Sequence, residues 1–166
     1  MLLHIMSRFI KVGIIFCAEY LVIAQVFIFL LFATQALTLP LRMGIILTGV
    51  TLLLCALLLT KILKIIIHKR RPPKKIEYFT PFDRYAFPSA HATALFSIAT
   101  FIISQNILIG VISFFVSFCV VIARIKSHVH DFSDILGGFV VGVSVTYYLM
   151  PYVTTWVYSF LVPMFV

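Results

Sequence analysis

The sequence carries little charge, and acidic residues are its scarcest charged type. Only 18 of the 166 residues are charged, 13 Lys or Arg against 5 Asp or Glu, which is 11% of the chain. Soluble domains carry about 25% charged residues. Hydrophobic residues make up 63% of the chain, and the mean hydropathy is +1.16. This composition excludes a soluble globular protein, a disordered chain and a nucleic-acid-binding domain, and it indicates an integral membrane protein.

Cysteine is also scarce, and the metal-ligating residue types are not clustered. Cys17, Cys55 and Cys119 lie far apart inside apolar runs. An odd number of cysteines in that setting argues against a disulfide framework or a metal cluster, so we interpret them as small core residues. There is no Asp/Glu cluster suited to Mg²⁺ and no His/Cys pattern suited to Zn²⁺. We therefore expect no metal and no other cofactor.

The apolar residues form unbroken runs that are long enough to cross a bilayer as helices. A spanning helix needs about 20 apolar residues, whereas a β-barrel would show alternating strands of about 10 residues. We predict spans at residues 12–39, 43–67, 89–105, 107–123 and 134–150. Residues 152–166 are either a short sixth helix or a kinked extension of the fifth. The predicted fold is an all-α, polytopic membrane bundle of five to six helices, in one domain covering residues 1–166.

The polar residues between the predicted spans collect on one face of the membrane. Because successive spans alternate in direction, the N-terminus, segment 68–87 and segment 124–133 share that face. Segment 68–87 holds six Lys or Arg and two Asp or Glu, so its charge of +4 is half of the net charge of +8. The opposite face is nearly bare, and we expect any functional site on the basic face.

The first candidate cluster is Lys64, His68 and Arg71, followed by Pro72. The spacings are i, i+4 and i+7, which place all three side chains on one face of the second helix near its end. Arg offers a planar fork and Lys a point charge to a phosphate group, so this face is a candidate anion site. The alternative is a set of cations that extend from the membrane boundary into water.

The second candidate cluster is Pro88-Ser89-Ala90-His91, at the start of the third span. Ser89 is a favourable N-cap residue, and the exposed N–H groups of a helix start bind phosphate oxygens. His91 would lie in the first turn, where an imidazolium donates a proton to a bound anion. The alternative is an ordinary helix cap followed by a histidine at the membrane interface.

The third candidate cluster is Arg124, His130 and Asp134. If the fifth helix begins just before His130, the carboxylate four residues later accepts from the imidazole N–H. That contact fixes the tautomer and leaves the other ring nitrogen as a nucleophile. His128 has no carboxylate at the same spacing. The alternative is that Asp134 caps the helix and the histidines are incidental.

Together, the three clusters contain two histidines, a carboxylate and several cations at helix ends on one membrane face. This set suits phosphoryl transfer through a covalent phosphohistidine. One histidine attacks phosphorus, the other protonates the leaving oxygen, and the cations hold the remaining oxygens.

Three spaced motifs resemble the signatures of the type-2 phosphatidic acid phosphatase superfamily. They are Lys64-x6-Arg71-Pro72, then Pro88-Ser89-Ala90-His91, then Arg124-x5-His130-x3-Asp134. The resemblance covers residues 64–134, in the family's order and with its internal spacings. It implies that His130 is the nucleophile, Asp134 orients it and His91 is the general acid. It also implies a phosphate-binding set made of Lys64, Arg71, Ser89, the backbone at Ala90, and Arg124.

Two positions depart from the family pattern. The family usually has Gly where Ala90 stands, which affects the fine geometry of a backbone donor. It usually has Ser where Ala123 precedes Arg124, so one hydroxyl contact to phosphate is missing. The resemblance still implies an active, metal-independent enzyme, because the acid, the base and the cations are all present.

The substrate is expected to be a membrane lipid whose phosphate reaches the interface. We rank undecaprenyl diphosphate first, because Glu19-Tyr20 resembles an acidic-aromatic pair in bacitracin-resistance-type phosphatases. Phosphatidylglycerol phosphate, phosphatidic acid and lipid A are the alternatives, and a non-catalytic protein that binds anionic lipid headgroups is the alternative from another class.

We expect a bacterial inner membrane location. The positive-inside rule would place the basic face in the cytoplasm, whereas the resemblance implies a site facing the periplasm or exterior, which we adopt.

Overall fold

The computed structural model describes residues 20–36, 38–70, 85–126 and 130–165. Within those ranges the chain is helical, without strands, apart from one isolated bridge between Arg70 and Tyr85. The five helices are α1 (Tyr20–Thr34), α2 (Leu39–Ile67), α3 (Ala90–Gln105), α4 (Ile107–Lys126) and α5 (Phe132–Phe165). The predicted all-α helical bundle is confirmed.

Three of these helices have both the length and the apolar composition that crossing a membrane requires. They are α2, α4 and α5. The described part of α1 and the 16-residue α3 are apolar but shorter. At 1.5 Å per residue, α3 is about 24 Å long, somewhat less than the hydrocarbon core of a bilayer. The protein is therefore an integral membrane protein, and its helix count fits the predicted five to six spans roughly.

The boundary between α1 and α2 differs from the prediction. The first helix ends at Thr34, not at Leu39, and α2 begins at Leu39, four residues before the predicted Met43. Pro40 lies in the first turn of α2 and does not end α1. A proline is well placed there, because the first N–H groups of a helix have no intrahelical acceptor. The start of the first span lies outside the described residues.

The end of α2 agrees with the predicted Ile67, but its cause is different. His68 adopts a left-handed conformation with φ 52° and donates its backbone N–H to the carbonyl oxygen of Lys64 at 3.1 Å. This is a common way to end a helix, and it comes before Pro72 is reached. The prediction that Lys64, His68 and Arg71 share one helix face is therefore wrong for His68. Arg71 and Pro72 lie outside the described residues.

The helix α5 runs without a break through Pro151 and Pro163. Of the two alternatives for residues 152–166, the extension of the fifth helix is the one observed, through Phe165. Proline lacks a backbone N–H and disfavours a helix interior, so the pattern of the sequence did not predict this continuity.

Helix α3 is central, since it packs against α2, α4 and α5. Two glycines let α5 approach α3 closely. A Cβ at Gly138 would lie 2.5 Å from the carbonyl oxygen of Ser89, and one at Gly142 would lie 2.5 Å from that of Thr93. This approach places the first turns of α3 and α5 side by side.

Candidate active site

Four helix ends meet at one end of the bundle, namely the C-terminal ends of α2 and α4 and the N-terminal ends of α3 and α5. The backbone N–H of Ser89, at the start of α3, donates to the carbonyl oxygen of Asp134, in the first turn of α5, at 2.9 Å. The bridge between Arg70 and Tyr85 joins the chain leaving α2 to the chain entering α3. Residues that are distant in the sequence therefore surround one site.

His130 and Asp134 form a buried pair beside this junction. His130 is 5% exposed and Asp134 is 1% exposed, and Nδ1 of the imidazole lies 3.6 Å from Oδ2 of the carboxylate. The helix α5 begins at Phe132, two residues before the predicted start of the fifth span at Asp134, so the condition that it begins just before His130 is not met. The two side chains are nevertheless adjacent, because a bend at His130 brings the ring to the first turn of the helix.

Asp134 also takes part in capping α5. Its Oδ2 accepts the backbone N–H of Asp131 at 3.1 Å, and the carbonyl oxygen of Asp131 accepts from the N–H groups of Asp134 and Ile135. A side chain at the third helical position that reaches back in this way completes one half of a capping box. The capping alternative and the histidine-orienting hypothesis are therefore compatible, since one carboxylate makes both contacts.

Three cations lie in the last turns of the helices that end here, and two of them, Lys64 and Arg124, are predicted site residues. Lys64 is 8% exposed and donates from Nζ to the carbonyl oxygen of Tyr85 at 3.1 Å. Arg124 is half-buried in the last turn of α4. A helix C-terminus favours positive charge. The Tyr85 carbonyl is neutral, so this contact holds the Lys64 ammonium in place without cancelling its charge.

The start of α3 has the predicted form. Ser89 is fully buried at the N-cap position, and its hydroxyl accepts from the backbone N–H of Ala92 at 3.5 Å. Ala90 is the first helical residue, and His91 follows it in the first turn with an exposed side chain. The start of α3 therefore combines N–H donors with an imidazole that is open to water.

Lys69 is the site residue that the sequence reasoning missed. Its ammonium contacts Oδ1 of Asp134 at 2.6 Å, Oγ of Ser133 at 2.9 Å and Oδ2 of Asp131 at 3.1 Å. Burial by itself would lower the pKa of Lys69, but the hydrogen bonds and charges of Asp134 and Asp131 outweigh it and raise the pKa above its usual value. The side chain is therefore charged throughout the physiological pH range. No local spacing indicates this contact, because it joins residues 65 positions apart.

The predicted site residues in the described part of the chain all lie at or next to these four helix ends: Lys64, Ser89, Ala90, His91, Arg124, His130 and Asp134. Arg71 and the rejected candidate His128 lie outside the described residues.

A known protein family matches the part of the chain that holds this site. A family model described as the PAP2 superfamily matches residues 43–158, which is well over half of the chain. The chain belongs to the PAP2 superfamily. The matched range includes all four helix ends of the site, and membership supports a phosphatase that acts on lipid phosphates. No solved structure matches the chain.

Proposed function

We propose that this PAP2 protein is a metal-independent lipid phosphatase that works through a covalent phosphohistidine. The observation that carries the proposal is the buried His130–Asp134 pair, joined by a backbone hydrogen bond to the start of α3. The pair supplies an oriented imidazole. The helix start supplies backbone N–H groups suited to phosphate oxygens.

In the first step, Nε2 of His130 attacks the phosphorus atom of the substrate. Nδ1 faces Asp134, so the carboxylate orients the ring and stabilises the positive charge that develops on it. The bond between the attacked phosphorus and the oxygen of the leaving group breaks, and His91 gives its proton to that oxygen. For a lipid diphosphate this is the bridging oxygen between the two phosphorus atoms, and the products are the lipid monophosphate and a phosphohistidine. For a lipid monophosphate it is the ester oxygen, and the products are the lipid alcohol and a phosphohistidine.

In the second step, a water molecule attacks the phosphorus of the phosphohistidine. His91, now neutral, takes a proton from that water, and the bond between phosphorus and Nε2 of His130 breaks. Inorganic phosphate leaves, and both histidines return to their starting protonation states. The exposed side chain of His91 suits a group that exchanges protons with water, whereas the burial of His130 protects the intermediate.

The phosphate oxygens are bound by positive charge and by the start of α3. Lys64 and Arg124 approach from the last turns of α2 and α4, and Arg71 completes the cationic set. Ser89 and the backbone N–H of Ala90 contribute neutral donors. Charge on these oxygens grows as phosphorus passes through its transition state, so preorganised donors lower the barrier.

Undecaprenyl diphosphate is the proposed substrate. The site lies at the ends of membrane helices, so a lipid can stay in the bilayer while its phosphate enters. The Glu19-Tyr20 pair favours this lipid over phosphatidylglycerol phosphate, phosphatidic acid and lipid A, which are the alternatives. Tyr20 is exposed at the start of the described part of α1.

A release assay tests the activity and the substrate together. Purified protein in detergent containing EDTA is expected to release inorganic phosphate fastest from undecaprenyl diphosphate, when compared with the three alternative lipids. Vanadate is expected to inhibit, because its trigonal-bipyramidal form mimics the transition state. Absence of release from all four lipids would support a non-catalytic headgroup-binding protein, and dependence on added divalent metal would contradict the metal-independent route.

We further propose that the protein lies in a bacterial inner membrane with its active site facing the periplasm or exterior. In a background without native cysteines, Lys126→Cys is expected to react with a membrane-impermeant thiol reagent on spheroplasts. Lys126 is exposed at the catalytic end of α4. Gln105→Cys, at the opposite end of α3, is the matched control and is expected to react only after lysis. The reverse pattern would overturn the orientation.

A further inference from the structure

Lys69 takes no part in the steps above, yet its side chain reaches the centre of the site. An ammonium group has three N–H donors, and three acceptors at the start of α5 lie within hydrogen-bond distance of Nζ. They are Asp134 at 2.6 Å, Ser133 at 2.9 Å and Asp131 at 3.1 Å. The Lys69 ammonium therefore connects the end of α2 with the start of α5.

The backbone of Lys69 is held in place from the other side. Its carbonyl oxygen accepts the backbone N–H of Ala86 at 2.8 Å, and the neighbouring Arg70 forms a bridge with Tyr85. The Tyr85 carbonyl is also the acceptor for Lys64. The backbone at Lys69 and Arg70 is therefore hydrogen-bonded to the segment that leads into α3, and the Lys69 side chain extends from there towards α5.

The two carboxylate oxygens of Asp134 have different partners. Oδ1 accepts from Lys69, whereas Oδ2 accepts the backbone N–H of Asp131 and lies 3.6 Å from Nδ1 of His130. A carboxylate held at both oxygens cannot rotate about its last bond without breaking a hydrogen bond. The contact at Oδ1 therefore determines how Oδ2 is presented to His130.

We propose that Lys69 is a positioning residue, which holds the Asp134 carboxylate in its orientation towards His130. The proposal rests on the proposed function. A carboxylate that is 1% exposed is costly unless a cation and hydrogen bonds compensate for its lost hydration. Lys69 supplies the cation, and it does so on the carboxylate oxygen that does not face the imidazole. The other assignment is direct phosphate binding by Lys69, which predicts different kinetics.

Kinetics of Lys69→Met separate the two assignments. We expect kcat to fall about tenfold, because an interaction that acts through the nucleophile is expressed in the chemical step. KM and the vanadate inhibition constant are expected to stay within about twofold. Lys69→Arg is expected to recover most of kcat, since it retains the charge. A rise in KM together with weaker vanadate inhibition would overturn the proposal and assign Lys69 to phosphate binding.

Two matched variants control for the charge. Lys126→Met removes an exposed cation from the same end of the bundle, and Asp131→Asn removes the partner of Lys69 that is 60% exposed while keeping its backbone donor. Both are expected to keep kcat within about twofold, because exposed ion pairs contribute little. A tenfold loss in either variant would contradict a role specific to the contact between Lys69 and Asp134.

A double-mutant cycle with Asp134→Asn tests whether Lys69 acts through Asp134. The tenfold effect of Lys69→Met is expected to shrink to about twofold in the Asp134→Asn background. An equal loss in both backgrounds, or loss of the folded protein in both Lys69→Met and Lys69→Gln, would overturn the proposal.

The His130→Ala variant separates failure of this proposal from failure of the proposed function. If the wild type is active, His130→Ala is inactive and Lys69→Met keeps full activity, only the role of Lys69 is refuted. Full activity in His130→Ala refutes the proposed function.

Discussion

Replacement of His130 by alanine is expected to reduce phosphate release from a lipid phosphate by at least about 10³-fold. The substitution removes the atom that forms the covalent bond to phosphorus, and Nδ1 of the same ring makes the buried contact with Asp134. His128→Ala is the matched control, because it removes a neighbouring histidine without a carboxylate four residues later. It is expected to retain most of the activity. Phosphate release is measured in detergent, per molecule of folded protein.

Trapping the phosphohistidine intermediate tests directly whether His130 is the nucleophile. Wild-type protein mixed with a lipid phosphate carrying labelled phosphorus and quenched in base is expected to hold label in a base-stable, acid-labile form. The His130→Ala protein is expected to hold none. Full activity in His130→Ala, or label that survives the substitution, would show that the nucleophile is another group.

Replacement of His91 by glutamine is expected to slow the first turnover of phosphatidic acid by about 10²–10⁴-fold, the usual range for loss of general acid catalysis. An alkoxide is a poor leaving group, so it needs the proton of His91. A nitrophenolate leaves without a proton, so the first turnover of a nitrophenyl phosphate is expected to slow by less than about tenfold. The measurement is a rapid-mixing comparison of the two substrates.

We expect His91→Gln to slow the second step, hydrolysis of the phosphohistidine, as well. His91 is proposed to activate the water that cleaves the phosphohistidine, so its loss slows dephosphorylation. With nitrophenyl phosphate, His91→Gln is therefore expected to give a burst of one equivalent of nitrophenol, followed by slow turnover. Equal losses for both substrates, without a burst, would exclude His91 as the general acid and base.

Local signals in the sequence were sufficient to predict most of the helices and several features of the candidate site. Ser89 is an N-cap, as predicted, and Asn106 separates α3 from α4, because both residues act on backbone groups within one turn. The adjacency of His130 and Asp134 was also predictable. A separation of four residues keeps two side chains close in a helix, and here a bend followed by a helical turn has the same effect.

Three features of the structure could not be predicted from local sequence signals. The continuity of α5 through Pro151 departs from the local rule that proline interrupts a helix. The end of α2 depends on the left-handed conformation of His68, which the sequence pattern did not indicate. The contact between Lys69 and Asp134 joins the end of one helix to the start of another. It becomes visible only when the helices are packed, and in the sequence Lys69 was one cation among several in a basic loop.

The hydrogen bond from the Ser89 N–H to the Asp134 carbonyl oxygen uses no side-chain atom. The half of the site proposed to bind phosphate is therefore linked to the half proposed to attack it by a main-chain contact, in addition to the packing of α3 against α5. This link does not depend on the identity of the side chains at positions 89 and 134, although both side chains also cap their own helices. A related chain could therefore lose activity through a change at either position and still keep the main-chain link between its two helix starts.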